Sequence, residues 1–281
     1  METNEAQWRC ERRELYEKLQ RSAEKGLNRE AVVASRELFT FDASGRAAPK
    51  EFAFERQDDA VTVVCAEIPR AAAEQWSVIT DEVLEALGGG GEDVYVSDRD
   101  IMHVTLFYTS HPDDLAPSGK KSERLAREIS LLRELATQFE PIRMTPAKVV
   151  LTASGAVLLL LQCVEGGNGN DDEGNGSVAR NAGGHAEFGV DLLRQAAVET
   201  FPFVSKKSPT EIIHTTLARV LSPEAFDETA LDRARQICQR ISQQLAAAGQ
   251  GDTFVVDKLW YVDESHFIRP TGYTTTISLG V

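Results

Sequence analysis

Two apolar segments of this chain carry the same polar pair at the same spacing. The segments IMHVTLFY and IIHTTLARV each place a histidine two residues before a threonine, and a leucine directly follows the threonine. Their β-branched and aromatic content predicts two buried strands. The four polar residues are His103 and Thr105 in the first segment and His214 and Thr216 in the second.

The spacing predicts which side chains share a face. Residues i and i+2 of a strand point to the same side, so His103, Thr105 and Phe107 are expected on one surface. A single pair of this kind would be interpreted as a core histidine bonded to a neighbouring hydroxyl, because so short a motif recurs by chance. Its recurrence with identical histidine, threonine and leucine offsets favours two copies of a functional element.

Length, charge and cysteine content limit the class of protein. The chain has 281 residues and a formal net charge of −14. This length is sufficient for a substantial core without disulfide bonds. The four cysteines are far apart and form no C-x-x-C pair, so neither a disulfide framework nor a zinc site is indicated, and a reducing compartment is the default. The negative charge disfavours extended contact with duplex nucleic acid, whereas a nucleotide or an RNA end remains a plausible partner.

The chain shows no membrane or targeting pattern. Its longest apolar run, AVLLLL, is too short to span a bilayer, and its N-terminus mixes acidic with basic residues. We therefore expect a cytoplasmic or nuclear protein without a membrane partner. The sequence does not specify an oligomeric state, and a monomer is the favoured expectation.

The order of predicted elements suggests an internal repeat. Residues 1–59 form an N-terminal helical extension and linker, and residues 60–281 form the main domain. Within that domain the order helix, histidine strand, helix and strand pair occurs twice. This repeat predicts an α+β fold with two related lobes, each an antiparallel sheet covered by helices. The acidic, Gly/Asn-rich composition of the tract at 165–184 predicts a mobile surface loop. A calcium-binding loop is disfavoured, because the tract lacks the glycine and the glutamate that such a loop requires.

The motif pair resembles that of the two-histidine (2H) phosphoesterase superfamily. Both HVTL and HTTL match its His-x-Thr pattern, and HTTLAR is similar to the second motif of the LigT-like RNA 2′,3′-cyclic phosphodiesterase branch. The resemblance covers residues 60–281 in element order. It implies a bilobal, pseudo-twofold fold with a central cleft, catalytic His103 and His214, phosphate-binding Thr105 and Thr216, and neither a metal nor a cofactor.

The chemistry of cyclic phosphate opening explains the choice of residues. One group must take a proton from water while another protonates the departing ribose oxygen, and imidazole, with a pKa of about 6.5, can do either. Two hydroxyls can hold the nonbridging oxygens. A metal-independent 2′,3′-cyclic phosphodiesterase is therefore the primary hypothesis. The alternatives are an RNA 3′-end or 2′,5′-linkage phosphodiesterase, and a nucleotide or RNA-end binding module without turnover.

Three further residues are weaker candidates for substrate binding: Arg219, Lys207 and Tyr261. Arg219 matches the arginine of HTTLAR, but its odd offset from His214 points it away from the histidine face unless the strand twists or ends. Lys207, on the loop before the second motif, could screen a phosphate, although solvated loop lysines are common. Tyr261 or its neighbour Trp260 could stack on a base, although large residues in a strand more often belong to the core.

Overall fold

The computed structural model of the chain describes residues 2–89, 91–116, 119–165, 180, 183–249 and 252–280. Most of the acidic tract predicted as a loop lies outside these residues. No helix among those described is long and apolar enough to cross a membrane. In chain order the elements are α1 (Glu2–Ala23), α2 (Arg29–Arg36), β1 (Phe39–Phe41), β2 (Ala47–Pro49), β3 (Val61–Glu67), α3 (Arg70–Leu87), β4 (Val94–Val96), β5 (His103–Ser110), α4 (Lys121–Ala136), β6 (Ile142–Leu151), β7 (Ala156–Cys163), α5 (Gly189–Thr200), β8 (His214–Val220), α6 (Glu228–Ala248), β9 (Phe254–Val256), β10 (Lys258–Glu264) and β11 (Gly272–Ser278).

Two antiparallel sheets organise the fold. Sheet 1 has the strand order β11-β10-β3-β5, and sheet 2 has the order β4-β8-β7-β6-β9. The first histidine motif begins β5 and the second begins β8, so the two motifs belong to different sheets. The predicted α+β class with two antiparallel sheets is confirmed.

Each sheet contains strands from both halves of the chain. The C-terminal strands β10 and β11 extend sheet 1 beside β3, whereas β6, which follows the first motif, extends sheet 2 beside β7. The order β5-β3-β10-β11 therefore corresponds to β8-β7-β6-β9, with β4 added at the edge next to β8. Because of this exchange, neither sheet is complete without both halves of the chain.

The main core lies between the sheets and the helices that cover them. Helices α4 and α5 pack on sheet 1, while α3 and α6 pack on sheet 2. The largest fully buried side chains include Trp76, Phe107, Phe139 and Tyr261. The opposite faces of the two sheets, which carry the motif residues, are left to form the cleft.

Helix α1 packs on the motif-bearing face of sheet 2. Strand pairing sets Leu160 opposite His214 and Leu158 opposite Thr216, so these leucines share a face with the motif residues. Both leucines pack against Tyr16 of α1 in a separate apolar cluster. The segment predicted as an accessory extension thus covers the sheet immediately beside the second motif.

Polar contacts fix α1 in this position. The Tyr16 hydroxyl donates to the carbonyl of Leu161 at 2.7 Å and accepts from the N–H of Ile213 at 3.2 Å. A buried ion pair at 2.5 Å joins Arg12 of α1 to Asp191 of α5. Tyr16 thus supplies hydrogen-bond partners to buried backbone groups of two strand segments, and Arg12 supplies a counter-charge to the buried Asp191. Helix α1 is therefore integrated with the two-sheet body.

Candidate active site

The two motif histidines line one cleft between the sheets. His103 and Thr105 come from β5, His214 and Thr216 come from β8, and all four side chains are half-buried. The remaining walls come from the segment around β4 and from the hairpin loop after β10. The space between these walls is about 620 Å³ when the open mouth of the cleft is included.

A β-bulge occurs at the same place in both motif strands. In β5 the pairing with β3 passes from Thr105 to Phe107, which leaves Leu106 as the extra residue. In β8 the corresponding extra residue is Leu217. A bulge shifts the alternation of every later side chain by one residue, so each strand carries a different set of residues into the cleft than a regular strand would.

The first bulge replaces one aromatic residue in the cleft by another. Phe107, predicted to share the face of His103, instead lies in the core, where its ring centroid is 5.2 Å from that of Phe201. Tyr108 occupies the cleft face and lines the site. The prediction for Phe107 was wrong because strict alternation does not hold across a bulge.

The second bulge turns Arg219 toward the motif side of sheet 2. Arg219 pairs with Tyr95 of β4, a residue that lines the cleft. Its guanidinium donates to the Ser35 hydroxyl of α2 at 3.0 Å, and it is not itself part of the cleft wall. The expectation that its odd offset from His214 directs it away was wrong for the same reason. Arg219 is near enough to His214 to lower the pKa of that imidazole.

Burial favours the neutral form of both histidines. Burial lowers the pKa of His103, and a contact between its Nδ1 and the carbonyl of Ile101 at 3.0 Å opposes the change. Burial together with the charges of Arg194, His103 and Arg219 lowers the pKa of His214 to about 4. Because a carbonyl only accepts, Nδ1 of His103 carries the hydrogen, and Nε2 is the nitrogen available for proton exchange.

Arg194 of α5 holds both motif strands from behind. Its buried guanidinium donates four hydrogen bonds of 2.9 to 3.0 Å to backbone carbonyls on both sides of the cleft. The acceptors are Thr105, Leu106, Thr210 and Ile212. Thr105 and Leu106 lie at the first bulge, and Thr210 and Ile212 precede the second motif, so one side chain fixes the relative position of the two strands.

Sequence reasoning missed Arg194, although a signal was present. Asp191 and Arg194 lie three residues apart in α5, and both fall on the face of the helix that carries Leu193 and Ala197 into the core. Charged residues are almost never fully buried unless they are paired. Two opposite charges on the apolar face of a predicted helix therefore indicate a buried polar network.

The remaining candidates do not reach the cleft. Lys207 is exposed on its loop and lies 3.5 Å from Asp113, and it is not among the lining residues. Tyr261 is fully buried on the helix-covered side of sheet 1, where its hydroxyl donates to Glu128 at 2.6 Å. The suggestion that Tyr261 stacks on a base is therefore wrong. Its neighbour Trp260 is half-buried on the opposite face, outside the cleft lining.

An ion pair connects the two walls. Arg269, in the loop after β10, donates to Asp98, which follows β4, at 2.9 Å. Both residues line the cleft. Within the described ranges, no group of three or more His, Cys, Asp or Glu side chains is arranged to hold a metal ion.

The chain is similar to solved structures but not to known sequence families. No family model matches it, and no curated protein matches it. A conserved protein of unknown function from Agrobacterium tumefaciens is 14% identical, with 86% of this chain and 90% of that chain covered and a TM-score of 0.50. Usb1 from Kluyveromyces marxianus is 11% identical over 80% of this chain and all of that chain (100%), with a TM-score of 0.45. LigT from E. coli, solved in complex with phosphate, is 14% identical over 79% of this chain and 99% of that chain, with a TM-score of 0.40.

The Agrobacterium match shows that the two-sheet fold is shared with another solved protein. At this level of identity the similarity concerns the fold alone. Function must therefore be argued from the cleft and its residues.

Proposed function

We propose that this protein is a phosphoric diester hydrolase that opens a 2′,3′-cyclic phosphate of a nucleotide or RNA end. The observation that carries the proposal is the arrival of two His-x-Thr motifs, from separate sheets, in one cleft. Hydrolysis at phosphorus needs a base for the incoming water and an acid for the leaving oxygen on the opposite side. A histidine on each wall provides this pair of groups.

The surroundings of the two imidazoles suggest different roles. His214 is kept neutral by burial and by nearby arginine charge, as a general base requires. His103 donates from Nδ1 to the Ile101 carbonyl, a contact that favours the charged ring. The negative charge of a bound phosphate raises the pKa of a nearby imidazole, so His103 is the better candidate for the general acid.

In the proposed step, water adds to phosphorus as one ribose oxygen leaves. His214 takes a proton from water as the water oxygen forms a bond to phosphorus. The bond from phosphorus to one ribose oxygen breaks, and that oxygen takes the proton held on Nε2 of His103. The hydroxyls of Thr105 and Thr216 donate to the nonbridging oxygens, where charge increases in the transition state. The product is a nucleoside or RNA-end phosphomonoester.

Two alternatives use the same cleft. An RNA 3′-end or 2′,5′-linkage phosphodiesterase would employ the same four residues on a different diester. A nucleotide or RNA-end binding module would keep the cleft without turnover, but binding alone does not require an acid and a base. The presence of both histidines favours catalysis.

A substrate panel tests the proposal. The protein is incubated, in the presence of a metal chelator, with 2′,3′-cyclic mononucleotides, short cyclic-phosphate RNAs and 2′,5′-linked oligomers, and products are identified by mass and phosphate position. We expect the cyclic phosphates to be opened to a single monophosphate isomer. Nucleotide binding without any product would support the binding module instead, and a reaction restored only by a divalent metal would overturn the proposed mechanism.

A further inference from the structure

A buried carboxylate lines the cleft opposite the second motif. Glu264 is the last residue of β10, it is only 8% exposed, and it lines the same cleft as both histidines. Strand register sets Glu264 opposite Val61 and Tyr108 opposite Val63, two positions that alternate to the same side of β3. Glu264 and Tyr108 are therefore neighbours on the wall that sheet 1 contributes.

The carboxylate of Glu264 has no hydrogen-bond or ion-pair partner among the described residues. Cys65 and Tyr108 lie close enough that a charge on Glu264 raises the pKa of each of them. The arginine of this wall, Arg269, is paired with Asp98. Burial without a partner raises the pKa of Glu264 well above its usual range. Buried polar groups are normally hydrogen-bonded, so an unpaired carboxyl in an open cleft indicates a partner supplied by a ligand.

The wall that carries Glu264 is built to keep its shape. The hairpin loop that follows it contains Ile268 at φ 63°, a left-handed conformation that is an outlier for a β-branched residue. Phe267 of this loop packs on Phe52 with ring centroids 4.1 Å apart, and its N–H donates to the carbonyl of Lys50 at 3.0 Å. The N-terminal segment thus fixes the loop, and Glu264 is presented on a preorganised surface.

We propose that Glu264 binds the nucleoside part of the substrate by accepting hydrogen bonds from its N–H or O–H groups. The identity of the ligand rests on the proposed function. A phosphate is a poorer partner, because its negative charge would favour the neutral carboxyl further and the threonines already offer donors to it, whereas a ligand that donates hydrogen bonds stabilises the charged carboxylate. In a nucleoside 2′,3′-cyclic phosphate the donors are the amino and imino groups of the base and the 5′-hydroxyl of the ribose, and a 2′- or 3′-monophosphate adds the free 3′- or 2′-hydroxyl. Contacts of this kind act on binding and leave the acid-base step to the histidines.

Calorimetric binding to the full chain tests this role without requiring turnover. The probes are 2′- and 3′-nucleoside monophosphates with each of the four bases, ribose 3-phosphate without a base, and inorganic phosphate. The variants are Glu264→Ala, Glu264→Gln and the matched control Asp263→Asn, which changes the adjacent carboxylate on the opposite face of β10, paired with Lys121 at 2.8 Å. Glu264→Gln keeps the shape of the side chain and removes its charge, so it serves as the test if Glu264→Ala does not fold.

We expect Glu264→Ala to weaken the binding of at least one nucleotide by about tenfold or more, as for a lost hydrogen bond to a charged group. Inorganic phosphate and the Asp263→Asn control should be unaffected. An unchanged affinity for ribose 3-phosphate would assign the contact to the base, and a parallel loss would assign it to the ribose hydroxyl.

The inference and the proposed function fail in different ways. Equal affinity of every nucleotide for the wild type and both Glu264 variants, or an equal loss of phosphate binding, would overturn the role of Glu264 even if cyclic phosphates are hydrolysed. A nucleotide-specific loss would support it even if no cyclic phosphate is opened.

Discussion

Replacing Arg194 with methionine tests whether one buried side chain holds the two motif strands together. The change removes four hydrogen bonds to backbone carbonyls and the buried positive charge near the Arg12–Asp191 ion pair. At about 1 kcal/mol net per bond, the four bonds suggest a loss of about 4 kcal/mol. This is a large fraction of the stability of a typical domain, about 5–15 kcal/mol.

Urea unfolding followed by circular dichroism measures the loss. Arg194→Lys is the conservative variant, because it keeps the charge but cannot reach all four carbonyls, and it should fall between the wild type and Arg194→Met. Arg127→Met on the exposed face of α4 is the matched control and should change stability by less than about 0.5 kcal/mol. A loss of stability below about 1 kcal/mol for Arg194→Met, the value of a single hydrogen bond, would show that Arg194 does not hold the two strands together.

Arg194 also acts on the chemistry of the cleft. Its charge is the largest contribution after burial to the low pKa of His214. In molecules that remain folded, Arg194→Met should therefore raise the pKa of His214 and move the acid limb of the pH profile for turnover to higher pH. A purely structural role would lower activity without moving that limb.

Three further predictions address individual contacts. Thr105→Val and Thr216→Val should each slow turnover by about tenfold or more if these hydroxyls bind the phosphate as proposed, because the hydroxyl is lost while the strand shape is kept. Steady-state kinetics measures the change, and an unchanged rate in both variants would contradict that role. Folding lowers the pKa of His214 from its usual 6.5 to about 4, so the stability linked to this group is fully present above pH 6.5 and declines as the pH falls toward 4. His214→Gln should flatten that decline in urea titrations across this range, and an unchanged slope would contradict the assigned pKa. Tyr16→Phe should cost about 1–3 kcal/mol, because the N–H of Ile213 loses its buried acceptor, and a neutral substitution would show that α1 is not held as described.

The motif residues could be predicted from the sequence because a two-residue spacing determines the face of a strand. His103 with Thr105, and His214 with Thr216, lie before the bulges, where the alternation still holds. Tyr108 lies beyond a bulge. The bulge arises from pairing with a neighbouring strand, so the pattern of apolar residues in the sequence does not reveal it. The sequence also did not predict that β10 and β11 join sheet 1 while β6 joins sheet 2. Periodicity indicates which face of a strand is buried but not which strand pairs with it.

Other features depended on tertiary contacts that composition does not report. The charged, sparsely apolar pattern of α1 suggested an accessory helix, yet Tyr16 provides both a donor and an acceptor to the strand that carries the second motif. Glu264 follows Trp260 and Val262 at intervals of two, so its face could have been predicted. Its position in the cleft could not, because the loop that encloses it is set by contacts with the N-terminal segment.

The proposed acid-base pair of His103 and His214 can be tested directly by its effect on the opening of a cyclic phosphate. The rate of opening of a 2′,3′-cyclic nucleotide is measured in the presence of a chelator for the wild type, His103→Ala, His214→Ala and the double variant. The unfolding midpoint of each protein is determined in parallel. We expect a single phosphomonoester product and a loss of turnover of about 100-fold or more in every variant, with a nearly unchanged unfolding midpoint. Turnover at the wild-type rate in the double variant would contradict the acid-base role of the pair.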